Sequence, residues 1–397
     1  MIEINEALSL VIEKATPIRP QRVATSDALG LVLAEDVTSD IDSPPHNKSM
    51  VDGYAVVAAD LESGSATLSV LEEVTAGDVP TKDVASGFAT RIMTGAPIPN
   101  GASAVVMVEQ TKLVDSDQVS VRQADIRVGQ NIMPRATSLS CGEVVLKAGQ
   151  EIRPIEIGLL AEVGRTDVLV TPRPTVAALS TGNELVAVSD MPAKGQIRNS
   201  NGPMLSALVR RAGGQPVELG IARDTEEDLR RLIGEGLTQE VLVLSGGVSA
   251  GVLDLVPCVL SELGVEQVFH KVSLKPGKPL WFGVLSRDNS NTLVFGLPGN
   301  PVSSLVCFEL FARPAIDQLA GRCNKRDERR AKLARSHIQR GPRPVFWPSV
   351  LRGEQVEPLA WQGSADMRSL TEANCLAFFP AEDREFQAGE EVVVRQL

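Results

Sequence analysis

The chain has 397 residues, 43% hydrophobic and 22% charged, which fits a folded globular protein and excludes disordered, collagen-like and cysteine-scaffold classes. Its 39 Lys+Arg stand against 50 Asp+Glu for a net charge of −11. A general nucleic-acid or anionic-membrane binder is thereby excluded, and any anion the protein handles must be met by a local basic pocket.

At about 150 residues per domain the length predicts two to four domains. The opening Met1-Ile2-Glu3-Ile4-Asn5-Glu6 carries acid where a targeting peptide carries Lys or Arg, so a cytoplasmic protein is expected. No apolar run reaches the roughly 20 residues that cross a bilayer. The cysteines (Cys141, Cys258, Cys307, Cys323, Cys375) are scattered without a C-x-x-C, and His46, His270 and His337 are equally dispersed. Buried free thiols are expected, and neither a disulfide framework nor structural zinc.

Ala7, Leu8, Val11 and Ile12 fall at helical spacing over 4–15, and a second short helix is predicted near Ser26. Asp42 to Lys48 is a loop, because Pro44-Pro45 supports neither helix nor central strand. From about 50 to 140, short β-rich runs such as Ala104–Val108 and Gln118–Val121 between Gly, Pro and Asp predict a β module. A helix at Ile155–Val163 precedes a boundary at Pro172-Arg173-Pro174. Beyond it, β-like runs Thr175–Ser180, Pro216–Ile221 and Val241–Ser245 each lead into a loop and a helical pattern. The helix at 202–212 places Met204, Leu205, Leu208 and Val209 on one face, with Asn199, Ser200 and Asn201 available as caps and Gly213-Gly214 as a stop. Runs Pro279–Leu285 and Thr292–Gly296 precede a long helix over 301–320. This alternation predicts a mostly parallel, doubly wound sheet, followed over 325–397 by a small β domain containing Val345–Val350, Cys375–Phe379 and Glu391–Val394.

Ligands of an open α/β sheet bind outside the carboxyl ends of its strands. Those ends carry Ser180-Thr181-Gly182-Asn183-Glu184, Arg223-Asp224-Thr225, Ser245 to Gly251 with Asp254, Lys275-Pro276-Gly277-Lys278-Pro279 and Gly296 to Ser304. Small residues let backbone N–H groups approach an anion, and Lys275 and Lys278 can turn two ammonium groups to one place. Carboxylates beside lysines at successive strand ends are what a magnesium-assisted phosphate site requires. No P-loop occurs, and no G-x-G-x-x-G follows the first strand.

These segments resemble the MoeA-type molybdopterin molybdotransferases, the family that includes the gephyrin E domain. The matching stretches are Ser49 to Ala55, Arg91 to Ala96, Ser180 to Leu185, Gly195 to Asn201, Ser245 to Gly251, Lys275 to Pro279 and Leu297 to Ser304, in the family's order across nearly the whole chain. The resemblance implies insertion of molybdate into adenylylated molybdopterin, giving molybdenum cofactor and AMP, with magnesium as the usual metal. It implies a homodimer with its active site in a cleft between subunits, and contact with molybdopterin adenylyltransferase and molybdoenzyme chaperones. The implied organisation is a mixed α/β elongated domain (1–42 with 139–172), an inserted β-rich domain (43–138), a molybdopterin-binding α/β domain (173–321) and a C-terminal β domain (322–397). Asp52 and Thr94 would face the cleft, and Glu184, Asp224 and Asp254 match the family's functional acids. Ser249, Lys275, Lys278 and Ser303 would contact molybdate or substrate phosphates, with Arg343 and Ser364 as a molybdate-binding pair. The acids fit two roles, metal ligation and activation of a water. Ligation is assigned to Asp224 or Asp254, and Asp52 is left between the two.

The sequence departs from the family pattern twice. Ser138 stands where N-I-R-x-x-G-x-D has its acid, and Pro348 where R-x-x-F-x-R has its second arginine. Full activity is the favoured expectation. The alternatives are a molybdopterin adenylyltransferase, against which the extra β domains count, and a non-catalytic cofactor scaffold or carrier.

Overall fold

The computed structural model describes residues 1–248, 255–287, 290–322 and 328–397, which divide into two compact units. The first comprises Met1–Ala34, Gly149–Arg153 and Asp167–Leu397; the second comprises Glu35–Ala148 and Pro154–Thr166.

At the centre of the first unit lies a six-stranded sheet. Its strands in chain order are β1 (Thr175–Thr181), β2 (Gln215–Ala222), β3 (Val241–Ser245), β4 (Glu266–His270), β5 (Trp281–Arg287) and β6 (Ser290–Leu297), arranged spatially as β2-β1-β3-β6-β5-β4. β2, β1, β3 and β6 run parallel, while β5 and β4 complete one side as antiparallel strands. The sheet is thus mostly parallel, as predicted, with antiparallel pairing at that side, where the short connection between β5 and β6 leaves no room for a crossover helix.

Both faces of the sheet are covered, so its strands are apolar on both faces. Along β1, Val176 and Ala178 enter one core with Leu205, Phe282, Phe295 and Phe308, while Ala177 and Leu179 enter another with Leu229, Leu232 and Val256. Helix Glu226–Gly236 starts at Thr225, whose side chain accepts from the Asp228 N–H, and three acids occupy its positively polarised first turn. The N-terminal helix Ile4–Lys14 buries Ala7, Leu8 and Val11 in the first core. The predicted short helix near Ser26 is one 3₁₀ turn, Thr25–Asp27. The long helix after β6 runs as Pro301–Cys307, a π-helical turn at Phe308–Ala312, and Arg313–Leu319. The C-terminal β domain is a closed five-stranded barrel whose core includes Ala331, Val356, Ala377, Phe379 and Val394.

The second unit is built on another six-stranded sheet, in the order Ala104–Met107, Gly53–Val56, Phe88–Ile92, Ser65–Val74, Gln118–Arg122, Thr111–Leu113. Tyr54, Leu68, Val106 and Val119 pack on one face, and Ala55, Ile92 and Val105 on the other. The helix predicted at Ile155–Val163 runs Pro154–Glu162. Two cysteines correct the expectation of burial: Cys307 and Cys375 are buried, whereas Cys141 and Cys258 are exposed. Cys323 lies outside the described residues.

Candidate active site

A cleft of about 960 Å³ opens at the carboxyl ends of β1, β2, β3 and β6. The loops after those strands contribute Thr181 to Leu185, Asp224, Gly246 to Val248 and Pro298 to Pro301. Ile197 to Asn201, Pro279, Ala365 and Met367 also line it, so a segment of the C-terminal β domain closes part of the wall.

Hydrogen bonds stitch the first two loops together. Asp224 Oδ2 accepts from the Asn183 backbone N–H at 3.1 Å, and Asn183 Oδ1 accepts from the Asp224 N–H at 3.1 Å. Arg223 Nη1 donates to the carbonyls of Asn183 (3.1 Å) and Leu185 (3.0 Å). The Asp224 and Glu184 carboxylates are thus both presented at the cleft, and Glu184 folds back over Gly182.

Beneath the loops runs a buried polar chain. Ser245 Oγ donates to Ser180 Oγ at 3.2 Å, Ser180 Oγ donates to Asn199 Oδ1 at 2.9 Å, and the Gly202 N–H reaches the same oxygen at 3.0 Å. Asn199 thereby starts helix Asn201–Arg211, which has no side-chain cap from Ser200. Gly246 turns over this chain at φ +95°, and a Cβ there would stand 2.6 Å from the Thr181 carbonyl oxygen. Only glycine fits that combination. Thr181 Oγ1 and Asn201 Oδ1 are buried in the lining with no hydrogen-bond partner among the described residues. Such groups favour a polar ligand that satisfies them.

Both predicted lysines are exposed, and neither forms an ion pair with a described residue. Their loop is fixed through its backbone: the Lys275 N–H donates to the Pro344 carbonyl at 2.9 Å, and the Lys275 carbonyl accepts from Phe346 at 3.0 Å. Arg343 Nη1 donates to the Leu274 carbonyl at 2.8 Å, which places it against the same loop. Of this loop, Pro279 rather than either lysine lines the cleft. Ser303 is buried in the first turn of Pro301–Cys307. At that turn Ser364 accepts twice, its hydroxyl from Asn300 Nδ2 at 2.9 Å and its carbonyl from the Val302 N–H at 3.0 Å. Arg343 and Ser364 therefore anchor to different segments, the lysine loop and the helix start.

In the second unit, strand pairing makes a separate acidic element. Gly53 pairs with Ile92, so Asp52 and Thr94 lie just beyond the paired ends of adjacent strands. Asp52 Oδ1 accepts from both the hydroxyl and the backbone N–H of Thr94, each at 2.7 Å. Those two bonds, the hydroxyl's the stronger, hold the carboxyl below its ordinary pKa and therefore ionised.

Ser249 and Asp254 lie outside the described residues. Among the described residues no three His, Cys, Asp or Glu side chains gather as a metal centre. Of the two departures, Ser138 lies in an exposed turn and donates its N–H to the Ser43 carbonyl at 2.8 Å. Pro348 is buried in a barrel strand opposite Leu376. Sequence reading placed Asn183, Arg223, Ser180 and Ser245 in the strand-end segments without assigning them roles, and Asn199 only among the helix caps. Their signal was present, since Ser and Asn stand directly at the ends of apolar β runs, where nothing apolar is needed.

Residues 2–164 match the MoeA N-terminal region (domain I and II), 177–318 a probable molybdopterin binding domain, and 330–397 the MoeA C-terminal region (domain IV). The chain is 33% identical over 404 aligned residues to a Staphylococcus aureus protein named molybdopterin molybdenumtransferase, covering 98% of this chain and 94% of that one. Its fold is similar to a molybdopterin biosynthesis MoeA protein of Pyrococcus horikoshii, with a TM-score of 0.85, 32% identity, and coverage of 100% and 99% of the two chains. A second MoeA structure from that organism matches with a TM-score of 0.84 and 29% identity over the full length of both chains.

Proposed function

The chain belongs to the MoeA family of molybdopterin molybdenumtransferases, and from that premise we propose that it converts adenylylated molybdopterin and molybdate to molybdenum cofactor and AMP. One observation carries the reading. The cleft at the strand ends has carboxylates on one wall, two unsatisfied buried polar atoms in its lining and a lysine loop entering at Pro279. That is room and chemistry for a large polar anion.

Molybdate and the phosphoanhydride are both anionic, so bringing them together costs Coulomb energy that opposite charge must offset. In this reading Lys275 and Lys278 meet the oxoanions as point charges, with Ser303, Arg343 and Ser364 beside them. Thr181 and Asn201 donate to or accept from the substrate's polar edge and fix its position. Holding both reactants in one cleft removes much of the entropy cost of their encounter. Water adds across the phosphoanhydride bond, so that molybdopterin keeps one phosphate and AMP leaves with the other.

Glu184 and Asp224 are hard oxygen donors, the type magnesium takes together with substrate phosphates, so the residues fit that ion; ligation is assigned to Asp224 or Asp254. A bound magnesium would neutralise charge on the anhydride. Asp52, kept ionised by Thr94, serves as a metal ligand or as the acceptor of a water's proton. We assign it to the reaction of a second copy of the chain in a homodimer. Mixing Asp52→Ala and Glu184→Ala chains is then expected to restore turnover, and verified mixed dimers without activity contradict that assignment.

Incubation of the protein with adenylylated molybdopterin, molybdate and magnesium tests the function. AMP release with formation of active cofactor is expected. ATP consumption with unadenylylated molybdopterin would establish the adenylyltransferase alternative, and tight binding without turnover the carrier.

A further inference from the structure

The first unit holds a second, smaller hollow of about 370 Å³ whose lining is dominated by arginine. Arg173, Arg210, Arg211, Arg313 and Arg322 face it, against two carboxylates, Glu151 and Asp317. On a chain of net charge −11 this concentration of cation is a local inversion.

The pairing of these arginines leaves positive charge over. Arg211 and Arg313 share one buried carboxylate, Glu309. Arg210 reaches Glu218 at 3.4 Å, both largely exposed, where screening weakens the pair. Arg322 lies 3.7 Å from Asp317 and spends its terminal nitrogens on two carbonyls, Ala212 at 2.7 Å and Gly30 at 3.0 Å. Its Nε is buried with no partner among the described residues. Arg173 pairs with no described carboxylate and donates to the Leu29 carbonyl at 3.0 Å. Asp317 faces both Arg313 and Arg322; burial raises its pKa against the lowering pull of the two guanidiniums.

The backbone is shaped around these groups. At Gly213, in the left-handed region at φ +77°, a Cβ would lie 2.1 Å from Arg322 Nη1; at Gly30, φ +73°, it would lie 3.1 Å from Arg173 Nη2. Two glycines thus leave the space in which two guanidiniums lie. Guanidinium is planar, permanently charged and matched in geometry to tetrahedral oxyanions.

We propose that this hollow binds a phosphate group, free or carried on a phosphomonoester, at a site separate from the cleft at the strand ends. The ligand relieves repulsion among guanidiniums that the four nearby acids leave incompletely neutralised.

Phosphate affinity is to be measured by thermal shift at constant ionic strength with chloride as the balancing anion. Inorganic phosphate and glycerol 3-phosphate form the two arms, and tighter binding in one arm identifies the free or the esterified source. The background protein carries Lys275→Ala and Lys278→Ala, so that anions held by the lysine loop do not contribute. Adding Arg173→Gln and Arg210→Gln, both chosen because these side chains are not tied to the buried Glu309, is expected to weaken phosphate at least about tenfold. Glu151→Gln removes a facing negative charge and is expected to tighten it. Phosphate stabilisation that vanishes with the lysine substitutions alone overturns the proposal. So does affinity that neither the arginine pair nor Glu151→Gln changes.

Discussion

The two six-stranded sheets present acids in different ways. In the mixed sheet of the first unit, Glu184 and Asp224 stand in loops that follow strand ends, and Asp224 is fixed by its bonds with Asn183 in the loop of the neighbouring parallel strand. In the sheet of the second unit, Asp52 is fixed by Thr94 through the pairing of two strands distant in sequence. Parallel topology gathers every loop that follows a strand at one end, so a site can accumulate from many short segments. The other arrangement gives a pair whose geometry depends on register, where a slip of one residue sends both side chains to the wrong face.

Substitutions in the two sheets sharpen this contrast. The largest effect is expected for Phe295→Ala, which removes a fully buried ring from the core shared by β6 and the helix after it. It should cost about 3–5 kcal/mol in denaturant unfolding and speed amide exchange in β3 and β6. Gly53→Ala is the counterpart in the second unit, since its Cβ would fall 1.8 Å from the Val106 carbonyl oxygen of the adjacent strand. A cost of about 2–3 kcal/mol is expected, with exchange increasing most in Gly53–Val56 and Ala104–Met107. If that substitution proves neutral, the close pairing that holds Asp52 in register is refuted.

How much of this was legible in the sequence follows from the same contrast. Apolar runs of Val, Ala and Leu ending in Ser, Thr or Gly marked β1, β3 and β6, because the residue that leaves the sheet is also the first of the site. The helix at 201–211 was legible from Leu205, Leu208 and Val209, and its start from the run Asn199-Ser200-Asn201, of which the structure uses Asn199. Strand β4, Glu266–His270, was missed because it lies at the sheet's edge with exposed Glu266 and Gln267 and no continuous apolar run. The π-helical turn within Pro301–Leu319 left no mark in apolar spacing. The arginine hollow was invisible because its members come from segments far apart in the chain, where no spacing rule applies. The two exposed cysteines show the converse: residue type alone predicted burial for Cys141 and Cys258, and their places in a turn and on a helix surface decided otherwise.

A smaller effect is expected for Asn199→Ala. It strips Ser180 Oγ and the Gly202 N–H of their common acceptor beneath the cleft, a loss of about 1–3 kcal/mol measurable by thermal unfolding. Still smaller is the effect of Thr94→Val, which leaves the backbone N–H bond to Asp52 and removes the hydroxyl. Because the folded carboxyl lies below the ordinary aspartate value of 3.8, whatever the bonds contribute to stability is present above that value and lost as pH falls through the folded midpoint. The substitution should move the Asp52 midpoint upward, toward 3.8, in a carboxyl-detected NMR titration. An unmoved midpoint would mean that the hydroxyl does not hold the charge.

The account stands on the strand-end cleft and its lysine loop as the place where two anions meet. AMP release from adenylylated molybdopterin, followed against molybdate concentration in the wild-type protein and in the Lys275→Ala, Lys278→Ala double variant, tests it most directly. With the fold intact by circular dichroism, the account predicts that half-saturating molybdate rises by at least about tenfold in the variant. Identical molybdate curves for the two proteins would contradict it.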